Sequence, residues 1–272
     1  MDETFFNECK GAGISVVEIS LRSEEYDVFD LKEAKRLADI YGIELWSYHL
    51  PFCPFSAIDI SSLDEDLRRK SVIYLSSLIL QAGSCGIEKF IVHPSAEPIE
   101  IENRIARLNQ AKKSLWELAD TAEAVNGVIC VEDLPRTCLG RSSYDITELI
   151  SDDDRLKVCF DTNHLLGEYI VDFIHKCGSK IVTTHVSDYD FWNERHWLPG
   201  EGKINWQELY HCLIEVGYNG PWLYEVGYAP ERSIIRKRDL TAADFARNAK
   251  EIFDDKEITV LGTPVYPPKF NN

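Results

Sequence analysis

Four ionisable side chains follow apolar, β-branched stretches of the chain, each at the point where its stretch ends. They are Glu132, Asp161, His185 and Glu225. Parallel strands of a βα-barrel bring their carboxyl ends to one face, so residues that are distant in sequence converge there. Three carboxylates and one imidazole form a hard, oxygen-rich ligand set that suits Mn²⁺, Mg²⁺, Co²⁺ or Zn²⁺. One acid at a strand end often only caps a helix, but four at separate strand ends predict a divalent-metal site.

Further histidines come at the ends of other predicted strands or in the loops that follow them: His49, His93, His164 and His196. Each taken singly is as well explained by a buried structural histidine. Together they predict substrate-binding groups, joined by Arg195 and by Trp46, whose ring could stack on a sugar face. His175 and His211 lie within predicted helices, and we expect them to be structural.

The elements that must position these residues alternate between short apolar strands and amphipathic helices. The expected strands are 15–20, 43–48, 89–92, 127–131, 156–160, 180–184 and 221–224. This alternation predicts a parallel sheet covered by helices, in the form of a (β/α)₈ TIM barrel. The pattern gives seven strands and opens on a helix at 1–10. The barrel therefore either lacks its first strand or fills that place in another way, and residues 257–261 are one candidate for the gap.

Length and composition limit the classes of protein. The chain has 272 residues, close to the roughly 250 of one TIM barrel, so we expect a single domain over 1–254 and a C-terminal extension at 255–272. The net charge of −17 disfavours nucleic acid and anionic membranes as partners. The chain shows no signal pattern or membrane-spanning apolar run, and its eight scattered cysteines favour reduced, buried thiols. We expect a cytoplasmic enzyme.

Seven stretches carry a resemblance to a known family. They are SYHLPF, FIVHPS, CVEDLPR, CFDTNH, THVSDYD, ERHWLPGEGKINW and LYEVG. From about residue 5 to 252 the chain resembles the sugar phosphate isomerase/epimerase family with a xylose isomerase-like TIM barrel. That superfamily also contains ketose 3-epimerases and family-2 apurinic endonucleases. The stretches are specific for the superfamily and much less so for one reaction.

Similarity to the ketose 3-epimerases implies roles for individual residues. A single divalent ion, usually Mn²⁺, would be held by Glu132, Asp161, His185 and Glu225, and the two glutamates would serve as acid and base on opposite faces of the substrate. His164 matches a substrate-contacting histidine. Two positions depart from the pattern: Cys138 stands where those enzymes have a substrate-binding glutamate, and Arg195 lies in a longer loop than their arginine.

The endonuclease branch holds three zinc ions with nine ligands. Eight of them match by residue type: His49, His93, Glu132, Asp161, His164, His185, His196 and Glu225. At the ninth, this chain has Glu194 where that branch has aspartate. The charge argues against a nuclease, because a DNA-binding surface faces about one phosphate per 1.7 Å of duplex and is normally rich in Lys and Arg.

The sequence therefore predicts a divalent-metal-dependent sugar isomerase or epimerase. In this hypothesis Glu132 and Glu225 are the catalytic residues, and a small keto-sugar or sugar derivative reacts by proton abstraction through a metal-stabilised enediolate. Three alternatives stay open: an endonuclease IV-like multi-zinc phosphodiesterase, a metal-dependent lyase on 3-keto-glycosides, and a non-catalytic sugar-binding barrel. The scarcity of Arg and Lys beside the ligand loops favours a substrate without phosphate. The sequence leaves the oligomeric state open, a homo-oligomer included.

Overall fold

Six strands form one parallel sheet in the computed structural model, which describes residues 1–265. In chain order they are β1 (Val16–Ile19), β2 (Glu44–His49), β3 (Lys89–Val92), β4 (Val128–Glu132), β5 (Lys157–Asp161) and β6 (Ile181–His185). Each strand pairs in parallel with the next one along the chain. The expected strands of this sheet are confirmed, with their ends displaced by one residue at most. Since every strand runs in the same direction, their carboxyl ends share one face.

Eight α-helices accompany the strands in the described part of the chain. They are α1 (Glu3–Ala12), α2 (Leu31–Tyr41), α3 (Glu65–Gly83), α4 (Arg104–Glu123), α5 (Ser143–Ile150), α6 (Ile170–Cys177), α7 (Trp206–Glu215) and α8 (Ala242–Phe253). Short 3₁₀ turns lie at Ile101–Asn103 and Gly178–Lys180. The side chains of Asp30, Asp64 and Asn205 accept hydrogen bonds from the first turns of α2, α3 and α7. These caps satisfy backbone N–H groups that have no partner within the helix.

The expected strand at 221–224 is reduced to a bridge. Val186 donates its backbone N–H to the Leu223 carbonyl at 2.7 Å, and Glu225 donates to the Val186 carbonyl at 3.1 Å. Pro221 has no N–H to donate, which prevents a longer ladder. The segment nevertheless runs parallel to the end of β6 and delivers Glu225 to the same face as the other ligands.

The eighth strand position is open in the described part of the chain. A groove of about 830 Å³ lies between β1 and residues 220–226 and is flanked by α1 and α8. The expectation that 257–261 might enter this gap is wrong, because those residues form no strand. The next residues, β8 (Gly262–Pro264), instead pair antiparallel with β7 (Ile234–Arg236) in a separate ribbon. Residues 266–272 of the expected extension lie outside the described residues, and the domain boundary at 254 stays a prediction.

The loop after β6 is built around one buried carboxylate. Asp188 accepts hydrogen bonds from the Trp206 indole N–H and the Gly200 backbone N–H, both at 2.8 Å, and from the Lys203 N–H at 3.0 Å. These donors fix the turn that leads from the loop carrying Glu194 into α7. Gly202 completes the turn, and a β-carbon at that position would collide with an Asp188 carboxylate oxygen and the Tyr189 carbonyl.

We therefore expect Gly202→Ala to destabilise the protein by roughly 1–3 kcal/mol, the usual cost of overpacking a filled site. The measurement is the free energy of unfolding from urea denaturation. Gly167→Ala is the matched control, because a β-carbon there meets no atom within 4 Å. Equal stability of the two variants would contradict the assigned role of the Asp188 turn.

Two further expectations concern the whole chain. All eight cysteines are free, and six of them are buried, with Cys53 and Cys85 partly exposed. Over residues 1–265, none of the helices combines the length and the apolar character needed to cross a membrane.

Candidate active site

The carboxyl face of the sheet brings together the four predicted metal ligands. Glu132 ends β4, Asp161 ends β5, His185 ends β6, and Glu225 follows the bridge at Tyr224. One ligand atom from each lies within 4.8 Å of all the others. His185 is central: its Nδ1 is 2.9 Å from Glu132 Oε1 and 3.2 Å from Glu225 Oε2. The four side chains therefore converge on one point, as a single ion would require.

The charges at this point do not balance within the protein. Asp161 Oδ2 and Glu225 Oε2 are buried without a hydrogen-bond partner. Burial, together with the nearby charges of Glu225 and Glu132, raises the pKa of Asp161 well above its usual value. Burial also works to raise the pKa of Glu132 and Glu225, but the charge and hydrogen bond of His185, together with the other nearby histidines, outweigh it and hold both pKa values below their usual range. Three crowded carboxylates against one imidazole fit a divalent cation, which would supply the missing positive charge.

Two more histidines contact the other oxygen of Glu132. His49 Nε2 lies 3.2 Å and His93 Nε2 lies 3.1 Å from Glu132 Oε2. The His49 Nδ1–H donates to the Leu50 carbonyl at 2.9 Å, which turns Nε2 toward the carboxylate. Burial lowers the pKa of His93. Burial acts in the same direction on His49, but the hydrogen bond and charge of Glu132, together with the charge of Glu18, outweigh it and raise the pKa of His49 to about 9. These three residues form a second group with the geometry of a metal site.

A third group lies on the other side of the pocket. The His164 Nδ1–H donates to the Asp133 carbonyl at 2.7 Å, and burial lowers the pKa of His164 to about 4. The ring is therefore neutral at pH 7, and its lone pair on Nε2 faces Glu194 Oε1 at 3.2 Å. Two acceptors that face each other require a cation or a hydroxyl donor between them. His196, whose Nδ1 lies 3.2 Å from the Glu225 carbonyl, completes this group.

A small cavity of about 140 Å³ opens between these groups. It is lined on one side by aromatic and apolar residues and on the other by His93, His164, Glu194, His196 and Glu225. The Phe52 ring stacks on His93, with ring centres 4.1 Å apart. The cavity is smaller than typical sites for drug-sized ligands, which are about 300–1,000 Å³, so it suits a small polar molecule. The larger groove beside β1 also reaches His185 and Glu225, but from the open side of the barrel.

A sequence profile of the xylose isomerase-like TIM barrel family matches residues 6–249. The chain belongs to this family. The uncharacterised protein MJ1311 of Methanocaldococcus jannaschii is 28% identical over 200 residues, which cover 70% of this chain and 67% of that protein. The D-psicose 3-epimerase of Ruminiclostridium cellulolyticum is 27% identical over 215 residues, covering 74% and 69% of the two chains. A solved structure of a D-tagatose 3-epimerase-like protein superposes with a TM-score of 0.75 at 25% identity, covering 89% of each chain. The resemblance and the fold class read from the sequence are confirmed.

Two expected substrate-binding residues of this xylose isomerase-like barrel lie elsewhere. Trp46 sits three residues before the end of β2, where its indole N–H donates to Thr183 Oγ1 at 3.3 Å and the Lys89 ammonium lies 3.6 Å above its ring. Arg195 lies in the loop after β6, but its guanidinium pairs with Asp190 at 2.9 Å. Neither lines the small cavity. Trp46 does line the larger groove, which also reaches His185 and Glu225, and a substrate-binding role for either residue stays a prediction.

The two helical histidines lie away from the site, as expected. His175 and His211 are more than half exposed, and they pair with Glu215 and Asp255 on the surface.

Two acids near the site were not predicted from the sequence. Glu97 lines the small cavity, where Arg136 bridges it to Glu194. Its carboxylate lies 3.7 Å from the Cys138 thiol. The second missed acid is Glu18, in the middle of β1, which lies 3.0 Å from His185 Nε2. Glu97 precedes a proline in a loop and Glu18 sits within an apolar strand, so neither follows a strand end.

Proposed function

We propose that this chain is a divalent-metal-dependent sugar epimerase or isomerase that acts on a small keto-sugar or sugar derivative. The observation that carries the proposal is the group formed by Glu132, Asp161, His185 and Glu225, with ligand atoms within 4.8 Å of one another and two carboxylate oxygens left without a partner. Its two glutamates can take the roles of base and acid. The similarity to a D-psicose 3-epimerase is consistent with such a reaction.

The two glutamates differ in their surroundings in a way that suits opposite roles. Glu132 is 1% exposed and lies deep among three histidines, whereas the Glu225 side chain is 39% exposed toward the opening. The pKa of each is held below its usual range, so both are carboxylates at neutral pH. One carboxylate would take the proton from a substrate carbon that lies between them. The other would first gain a proton from solvent and would then return it to the substrate from the opposite face. Return to the same carbon gives an epimer, and return to the neighbouring carbon gives an aldose–ketose shift.

Asp161, His185 and the two glutamates would hold the ion, for which Mn²⁺ is our first choice and Zn²⁺, Co²⁺ or Mg²⁺ are the others. When bound, it would polarise the substrate carbonyl and stabilise the negative charge that develops on it. His93, His164 and the neighbouring His49 and His196 would position sugar hydroxyls. Glu97 and Glu194 put two more carboxylates beside the cavity against the single guanidinium of Arg136, and this acidic wall favours a substrate without phosphate.

Metal content tests this proposal. For wild-type protein purified without chelator, we expect about one divalent ion per chain by elemental analysis. We also expect the metal-loaded enzyme to exchange a carbon-bound hydrogen of at least one free keto-sugar with deuterium from D₂O. Loss of the exchange after chelation, and its recovery with Mn²⁺, would tie the two observations together. A metal-loaded protein that exchanges no proton of any ketose or 3-keto-glycoside would contradict the proposal.

A multi-zinc phosphodiesterase is the second candidate, because the two histidine groups beside the first site have metal-site geometry. One of these groups consists of His49, His93 and Glu132, and it shares Glu132 with the four-ligand group. In the other group, His164 presents its lone pair toward Glu194. Two or three zinc ions per chain, with hydrolysis of a small phosphodiester, would support this candidate. The net charge of −17 disfavours a polynucleotide substrate.

A further inference from the structure

Glu18 is an acid inside the barrel that the proposed mechanism does not use. It lies in β1, where its neighbours Val17 and Ile19 are buried in the main hydrophobic core. The Glu18 side chain is only 12% exposed. Its Oε2 accepts a hydrogen bond from Ser47 Oγ at 2.6 Å, and its Oε1 lies 3.0 Å from His185 Nε2. A nearly buried carboxylate needs such partners to offset its lost hydration.

The two nitrogens of His185 face different surroundings. Nδ1 faces the carboxylates of Glu132 and Glu225 at 2.9 and 3.2 Å, whereas Nε2 faces Glu18. A neutral imidazole carries one hydrogen, and the nitrogen without it is the one that can bind a metal. Glu18 and Nε2 are in close charge contact, without the geometry of a hydrogen bond. The negative charge of the carboxylate nevertheless favours the form of the ring that carries its hydrogen on the facing Nε2. The Cys159 thiol also lies near His185, but a thiol is a weak acceptor and does not select a tautomer.

We propose that Glu18 is a positioning residue for the metal site, which keeps the hydrogen of His185 on Nε2 and turns the Nδ1 lone pair toward the ion. Carboxylates that orient a ligating histidine in this way change metal affinity by about 10- to 100-fold when they are removed. Ser47 supports the arrangement by fixing the second carboxylate oxygen. The inference rests on the metal site of the proposed function, but not on which sugar reacts.

Metal affinity in the complete chain tests this role. We expect Glu18→Met to weaken Mn²⁺ binding by about 10- to 100-fold in calorimetric titration. Glu18→Gln should also weaken binding, but less than Glu18→Met, because the amide keeps an oxygen beside Nε2 without the negative charge. Ser47→Ala should lie between wild type and Glu18→Met. Glu44→Met is the matched control, since Glu44 is an exposed carboxylate on the neighbouring strand β2, and it should bind Mn²⁺ like wild type.

A spectroscopic measurement separates positioning from a purely structural role. In the metal-free protein, above the pH at which His185 loses its extra proton, ¹⁵N NMR of the histidine rings should show the remaining hydrogen on Nε2 in wild type and a mixture of the two ring forms in Glu18→Met. A structural role alone would lower the melting temperature and leave the ring form and the affinity for metal unchanged. If Glu18→Met fails to fold, the Gln and Ser47 variants still decide the matter.

These measurements distinguish a failure of the Glu18 role from a failure of the proposed function. Wild-type affinity and an unchanged His185 ring in Glu18→Met would overturn the role of Glu18 and leave the proposed function standing. A wild-type protein that binds metal but turns over no keto-sugar, while Glu18→Met loses affinity, would overturn the function and support the role of Glu18. A wild-type protein that binds no divalent ion would overturn both.

Discussion

Glu225→Gln is expected to reduce turnover of a keto-sugar by about 10²- to 10⁴-fold, the usual contribution of one positioned acid or base. Glu225 lies within 3.2 Å of His185 Nδ1 and is exposed toward the cavity. Its replacement keeps an amide oxygen where the carboxylate was, so some metal should still bind. The amide can neither accept a proton from carbon nor return one. The measurements are kcat and the metal content of the same preparation.

A control variant and a second catalytic variant are compared with Glu225→Gln. Glu215→Gln removes an exposed carboxylate on α7, far from the ligand group, and should leave kcat unchanged. Glu132→Gln should also abolish epimerisation. The two glutamates act on opposite faces of the substrate, so each variant should lose the proton exchange with D₂O on the face that its missing carboxylate serves. Full activity of Glu225→Gln would remove Glu225 from the chemistry.

Local signals in the sequence predicted the elements that carry the site. The helix expected at 31–41 is α2 (Leu31–Tyr41) as observed. It begins after the Asp30 cap and ends at Gly42, whose φ of 68° is easy only for a residue without a side chain. Glu132, Asp161 and His185 could be predicted because each directly follows a short apolar or β-branched run. Strand ends of a parallel sheet share one face, so convergence needed no knowledge of distances.

The position of a residue along its strand was harder to predict from the sequence. Trp46 and His49 belong to the same strand, β2, yet three residues at about 3.3 Å each separate them by roughly 10 Å along it. That distance places Trp46 below the cavity, although the sequence interval is short. Glu18 was not predicted, because it lies within β1 and not at its end. Its partner His185 is on β6, the strand at the opposite end of the sheet order, which does not pair with β1.

The ribbon of β7 and β8 was not expected at all. Each strand has three residues, too few for an alternating pattern to stand out. The partners Ile234 and Pro264 are thirty residues apart in the chain. One buried ion pair links the ribbon to the loop after β6: the Arg236 guanidinium binds both oxygens of Glu201, at 3.0 and 2.6 Å. Arg236 is 2% exposed and Glu201 is fully buried.

This pair should therefore control stability more than any surface ion pair. We expect Arg236→Met to destabilise the protein by about 3–5 kcal/mol, because it leaves the Glu201 carboxylate buried without its countercharge. The Leu198 N–H also donates to Glu201 at 2.9 Å, so the loss reaches the loop that follows Glu194 and His196. The measurement is the free energy of unfolding in urea.

The double variant Arg236→Met/Glu201→Gln should recover part of that loss, since it buries no charge. Arg22→Met, which breaks an exposed pair with Glu25, should leave the free energy of unfolding close to that of wild type. Far below the melting temperature, kcat of Arg236→Met should stay near that of wild type, because the Arg236–Glu201 pair involves none of the four metal ligands. A loss as small as that of Arg22→Met would mean that water reaches the Arg236–Glu201 pair and that the ribbon is held by its apolar contacts instead.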